Sequence, residues 1–219
     1  MSRCFGDGDP LYERYHDEEW GRPVLDERGL FERMSLEAFQ SGLSWRTILA
    51  KREAFRAAFA GFDPAAVARF GDGDVARLLA DAGIVRNRAK IEATLANARA
   101  TVATREAGEP LDALVLAHRP ADGAAPASFA DVPAQLPETV ALARELKRRG
   151  FRFVGPTTLY ALMQACGLVD DHLAGCPVRP AVEAERGMAF SSYGPRKLGP
   201  SDDVTPRASQ ARTFGRRHP

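Results

Sequence analysis

His172 and Cys176 in "DDHLAGCP" stand four positions apart. One helical turn would present both from the same face. That spacing suits a pair of metal ligands, and it suits equally a satisfied histidine beside a buried thiol. Pro177 limits how far such a helix can run. Cys4 and His16 form a second Cys/His pair near the start of the chain. The four residues together have the composition of a closed, tetrahedral Cys2His2 zinc site, although their separation matches no zinc-finger spacing. An ion held there would staple the N-terminal arm to the end of the last helix. Cys166 is different, because it falls on the apolar side of "LYALMQAC" and reads as a core thiol.

Glu37 is the second residue with chemical potential. It follows Leu30 and Met34 on an i, i+4, i+7 stripe, where a carboxylate is partly desolvated. It is either an acid pairing at a helix end or a carboxylate facing a pocket. The aromatic residues that could wall such a pocket are Tyr15, Trp20 and Trp45, two of them in "YHDEEWG". Aromatic residues are as readily core as binding platform.

The third group is "LKRRGFRFVGPTTLYALMQACG". It reads as helix, tight glycine-bearing hairpin, helix, with Gly150 and Gly155 bracketing the turn. Such a turn aims backbone N–H groups and a helix N-terminus outward, a ready site for an anion. With Arg148, Arg149 and Arg152 alongside, the expected anion is the DNA backbone, and the plainer alternative is an ordinary helical corner.

The elements that must carry these residues are helical nearly throughout. Leu30, Met34, Glu37 and Ser41 share one face. Trp45, Ile48, Leu49, Phe55 and Phe59 outline the next helix, with Ser44 as its N-cap. Asp63 and Pro64 open another, Asp74 starts a short one, and Ile91, Leu95, Ala98 and Val102 mark a longer one. "PLDALVLAH" fits one more helix, and Arg119–Pro133 has the composition of a loop. Pro137 begins a helix expected to turn Val140, Ala143 and Leu146 inward, and Pro156 reopens a helix after "FRFVG". No strand run of convincing length and no internal repeat is found. The expectation is an all-α domain over residues 1–180, followed by a disordered tail over 181–219.

Length and composition set limits. A chain of 219 residues can bury one substantial core. No apolar run approaches the roughly 20 residues needed to cross a bilayer. The start "MSRCFGDGDP" has no signal-peptide pattern, and three cysteines suggest no disulfide framework, so a cytoplasmic protein is expected. Residues 179–219 hold eight basic and four acidic residues, while the whole chain carries only +1. Nucleic-acid binding therefore has to come from a local patch.

These motifs, in this order from Cys4 to about Pro177, resemble the bacterial 3-methyladenine DNA glycosylase I family of the helix-hairpin-helix glycosylase superfamily. "DPLYERYHDEEWG", "LEAFQSGLSW", "GIVRNRAKI", "RGFRFVGPTTLYALMQACGL" and "DDHLAGC" carry the resemblance. It implies an all-α helix-hairpin-helix glycosylase fold with one structural Zn2+ on Cys4, His16, His172 and Cys176. It implies a base pocket of Tyr15, Glu37 and Trp45, with Trp20 in support and Glu37 as the catalytic carboxylate. Phe5 stands where many relatives carry a tryptophan. A duplex-probing turn is implied at Gly42 and Leu43, with backbone contacts from Arg149, Arg152 and Gly155.

The implied activity is monofunctional excision of 3-methyladenine from alkylated double-stranded DNA, with the free base as product. The implied protein is a monomer without membrane contact, in the cytoplasm and on the nucleoid when bound to DNA. A bifunctional glycosylase-lyase would need a lysine close behind the hairpin, where this chain has Pro156, Thr157 and Thr158. A zinc-stapled DNA-binding module without chemistry would have no need of Glu37 in a pocket.

Overall fold

A computed structural model describes residues 3–191. Among them there are ten α-helices and no strand. In chain order these are α1 (Pro10–Glu18), α2 (Glu27–Gln40), α3 (Trp45–Ala58), α4 (Pro64–Ala68) and α5 (Asp72–Ala80). They are followed by α6 (Arg88–Glu106), α7 (Leu111–Leu116), α8 (Pro137–Arg148), α9 (Pro156–Ala165) and α10 (Arg179–Phe190). None of these helices is long and apolar enough to cross a membrane.

Local chemistry explains where the helices begin. The Asp9, Asp26, Ser44, Asp63 and Asn87 side chains each accept a hydrogen bond from a first-turn N–H of α1, α2, α3, α4 and α6. α5 begins two residues earlier than expected, at Asp72, and the Asp74 carboxylate accepts from the Gly71 N–H at 3.1 Å. α2 packs against α3 and α9, α6 against α4, and α8 against α9. Phe39, Phe55, Phe59 and Phe62 form a run of ring contacts in the centre, with Phe31 meeting Phe62 edge-on. All five rings are fully buried.

Several expected faces are corrected. Ser41 lies beyond α2 and is exposed, so the inward stripe ends at Glu37. Val140 is only half-buried. Thr139, Leu142, Ala143 and Leu146 point inward, and Thr139 can do so because its hydroxyl bonds the Leu136 carbonyl at 2.8 Å. Val102 is likewise half-buried, while its neighbour Thr101 is covered. The tail expected from residue 181 begins as structure: α10 runs to Phe190 and buries Val182 and Phe190. Residues 192–219 of that expected tail lie outside the described residues.

Two glycines join the N-terminal segment to the end of α9. Gly21 (φ +79°) brings its backbone so close to His172 that a Cβ would sit 3.1 Å from Nε2. Gly167 (φ +68°) leaves 2.5 Å between a Cβ and the Gly21 carbonyl oxygen. Only glycine allows both the left-handed backbone and the close approach. The Gly21 N–H donates to Gln164 O and the Val24 N–H to Cys166 O, each at 3.1 Å.

Candidate active site

The two Cys/His pairs, separated by more than 150 residues, meet in space. Ligand atoms of Cys4, His16, His172 and Cys176 all lie within 4.8 Å of one another. Cys4 Sγ and Cys176 Sγ are each 3.6 Å from His172 Nδ1, and Cys176 Sγ is 3.6 Å from His16 Nε2. A tetrahedral zinc with ordinary Zn–S and Zn–N bonds sets a sulfur–nitrogen separation of about 3.6 Å. The donor set therefore fits that ion in chemistry, and three of its sulfur–nitrogen separations match.

The surroundings orient these four side chains. Asp17 Oδ1 lies 2.8 Å from His16 Nδ1, and Arg3 Nε holds both Asp17 oxygens at 3.0 Å. This leaves His16 Nε2 to face the sulfurs. His172 Nε2 lies 3.1 Å from the Trp20 carbonyl oxygen, so Nδ1 is the inward nitrogen. The Leu173 N–H donates to Cys4 Sγ at 3.2 Å. Burial pushes the His172 imidazole down to about 4, which keeps it neutral and able to ligate. Burial pushes the Cys4 thiol up to about 12, so a thiolate at that point calls for a cation beside it.

Trp20, expected to support the base pocket, packs edge-on against His172 with ring centroids 4.6 Å apart, and it also meets Phe5. It lies against the Cys/His cluster. Phe5 bridges the two regions, touching His16 at 4.9 Å and Tyr12 at 5.0 Å between centroids.

Tyr15 faces the other way from its neighbour His16. It is fully covered and meets Trp45 with centroids 5.3 Å apart. Glu37 is 6% exposed, and no described residue hydrogen-bonds its carboxylate. Burial pushes it up to about 8, and the nearby Arg33 offsets only part of this. Its charge is felt by Tyr12 and Tyr15, whose hydroxyls are raised mainly by burial and further by this carboxylate. Trp45 Nε1 is a buried donor without a partner. The Glu37 carboxyl, which no described residue hydrogen-bonds, and the buried, unpaired Trp45 Nε1 are the kind of acceptor and donor that complement a flat heterocycle.

Tyr12 joins this cluster, half-buried between Phe5 and Tyr15, although the sequence reading passed over it. Its i, i+3 spacing to Tyr15 on an amphipathic helix was the available signal.

The Glu37 environment has a consequence for stability. The folded state holds this proton more tightly than the unfolded chain. The contribution is thus fully present below the ordinary value of 4.5 and is lost as pH rises through about 8. Glu37→Gln is expected to stabilise the ligand-free protein by on the order of a few kcal/mol above pH 8, and hardly at all at pH 4.5. Thermal melts of both proteins across this range check it. A constant difference in melting temperature would contradict it.

Two turns were expected to meet DNA. The turn after α2 places Gly42 at φ +79° and leaves Leu43 43% exposed. The link from α8 to α9 has no paired strands: Gly150 (φ +90°) and Phe153 (φ +55°) reverse the chain. α9 begins at Pro156 after Gly155 with no side-chain cap, so its first N–H groups face outward unsatisfied. Arg152 is exposed, and no carboxylate among the described residues pairs with it. Arg149, by contrast, is held by Glu109 and Glu145 at 2.6–2.9 Å, and Arg148 by Glu145. The basic run therefore offers less free charge than its composition implies.

Asp170 lies in a separate groove of about 1250 Å3 between the 119–138 segment and α9 and α10. Its side chain is 1% exposed, and Oδ1 accepts from the His172 N–H at 3.1 Å.

Residues 5–180 match the model of the methyladenine glycosylase family. The chain is 47% identical to DNA-3-methyladenine glycosylase 1 of Escherichia coli K12, over 82% of this chain and 98% of that protein. A crystal structure of 3-methyladenine DNA glycosylase I superposes with a TM-score of 0.78 at 47% identity, covering 80% of this chain and 98% of that one. The Staphylococcus aureus enzyme, solved to show the structural basis of 3-methyladenine recognition, superposes at 0.77 with 35% identity, covering 81% and 95%. Matching at this identity over nearly the whole of each relative, the chain, helical throughout its described elements, belongs to the methyladenine glycosylase family.

Proposed function

We propose that this protein is a monofunctional DNA glycosylase that hydrolyses the N-glycosidic bond of 3-methyladenine in alkylated double-stranded DNA. The observation that carries the reading is the buried Glu37 carboxyl, which no described residue hydrogen-bonds and whose charge reaches Tyr12 and Tyr15. A neutral ligand gives no reason to keep an acid there. A cationic purine does, because it draws the proton off Glu37 and stabilises the carboxylate that remains. The electron-rich faces of Tyr15 and Trp45 favour the same positive ring over neutral adenine. Tyr12 and Phe5 close the outer side.

The chemistry asked of the protein is modest. Methylation makes adenine a good leaving group. As the bond to the sugar breaks, the ring takes the electron pair and departs neutral; water adds to the sugar carbon and gives up one proton to solvent. The enzyme must chiefly extract the base from the stack, which costs less for a damaged one. Leu43 is suited to fill the space it leaves. The outward N–H groups after Gly155 and the free Arg152 are suited to the flanking phosphates, in the manner of a helix-hairpin-helix element.

Cys4, His16, His172 and Cys176 hold one structural zinc in this reading. All four positions come from the protein, so the ion's chemistry is limited to cross-linking the chain. The protein acts as a monomer, in the cytoplasm and on DNA, with residues 1–180 as its catalytic part. Residues 181–191 complete that part through α10.

Excision of 3-methyladenine from methylated duplex DNA, leaving an intact abasic site, is the test. Absence of free base, or borohydride trapping of a covalent protein–DNA adduct, would overturn the monofunctional reading.

A further inference from the structure

Helix α6 buries a row of polar side chains: Lys90, Thr94, Asn97, Thr101 and Thr104. The three threonines bond back to carbonyls of α6 itself: Thr94 to Lys90 O, Thr101 to Asn97 O and Thr104 to Thr101 O. Lys90 and Asn97 alone in this row reach out of the helix, and each reaches one loop.

Lys90 Nζ donates to Phe39 O at 2.8 Å and to Ser41 O at 2.5 Å. It is 7% exposed and has no carboxylate partner among the described residues. An ammonium group is costly to bury, and here its compensation is the carbonyl end of α2, where the helix dipole favours a cation. The residues it fixes lead directly into Gly42 and Leu43. Asn97 uses both ends of its amide on one residue. Its Oδ1 accepts from the Arg152 N–H at 2.7 Å, and its Nδ2 donates to Arg152 O at 3.0 Å. A two-point clamp on a single backbone unit fixes the orientation of the 151–155 turn as well as its position.

The two clamps are seven positions apart, which is about two turns and roughly 10 Å along one helix face. We propose that α6 is a rigid spacer, with Lys90 and Asn97 as positioning residues that hold the Leu43 turn and the 151–155 hairpin in register on one duplex. The inference rests on the DNA-glycosylase reading above. A turn that enters the base stack and a hairpin that grips the backbone must engage the same stretch of strand. A spacing set by a buried helix serves this better than one left to two surface loops.

The test compares Lys90→Met, Asn97→Leu, the double variant and Lys90→Arg with the wild type. Three quantities are measured: affinity for a duplex carrying a tetrahydrofuran abasic analogue, affinity for free 3-methyladenine, and thermal stability. Each single variant is expected to weaken duplex binding about 10-fold or more, while free-base affinity stays within about 2-fold. Lys90→Arg should recover most of the loss. The double variant should lose less than the product of the two single effects, since register is lost once. If either substitution unfolds the protein, Lys90→Gln and Asn97→Asp, which can each keep one contact, replace it under the same expectations.

Folded variants that bind the duplex as the wild type does would overturn the spacer role alone. So would a parallel fall in duplex and free-base affinity, or strictly additive losses. A wild-type protein with no affinity for the abasic duplex would overturn the DNA-glycosylase reading itself and the spacer role with it.

Discussion

Glu37→Gln is expected to slow single-turnover excision of 3-methyladenine by about 100-fold or more, while Asp170→Asn stays within a few-fold of wild type. The first change removes the buried carboxyl whose charge reaches Tyr15, and with it the charge that favours a cation in the site. A charge-assisted contact to the extruded cationic base is worth roughly 1.5–3 kcal/mol, and its loss from the extraction step that single turnover includes accounts for an effect of this size. Because glutamine is isosteric and no described residue hydrogen-bonds the carboxylate, the variant should fold and be more stable at alkaline pH.

Asp170 occupies a different environment. Its Oδ1 caps the turn carrying His172, and Arg179 lies 3.8 Å from Oδ2, which makes no hydrogen bond. Asparagine can keep the capping contact, so about 1 kcal/mol of stability or less should be lost. A near-normal Glu37→Gln beside a folded but crippled Asp170→Asn would reverse the assignment.

Metal analysis of the purified protein is expected to find one zinc per chain, and removing it should lower the melting temperature by at least about 10 °C. An ion held by the cluster would tie the arm bearing Cys4 and His16 to the segment bearing His172 and Cys176. Structural zinc contributes several kcal/mol or more of folding energy, and in a chain of this size each kcal/mol moves the midpoint by roughly 2–4 °C. Cys176→Ser should reproduce most of the loss. It should also weaken free-base binding, because His16 and Tyr15 are adjacent on α1 and the ligand fixes the rotation that covers the tyrosine. Protein free of zinc, or a Cys176→Ser variant as stable as wild type, would contradict this.

Much of the molecule was legible in the order of its residues, for identifiable reasons. Caps and helix starts act over three or four positions, so Ser44, Asp63 and Pro64 announced α3 and α4 directly. The Cys/His cluster was legible because its four members are rare residue types: the chain has three cysteines and four histidines. Glu37 stood out because an acid on an otherwise apolar stripe conflicts with its neighbours.

Tertiary structure alone decided which polar groups could be buried and which charges were free. α6 reads as a helix with Ile91, Leu95 and Ala98 inward, and nothing local says that Lys90 and Asn97 go inward beside them. Their burial depends on Phe39, Ser41 and Arg152, whose carbonyls and N–H lie 49 to 55 positions away. Arg149 reads as a free cation until Glu109, forty positions earlier, is brought against it. Apolar burial follows periodicity, because a hydrophobic side chain needs only the absence of water. A polar or charged side chain needs a specific partner in a specific direction, and in this chain those partners are supplied by folding.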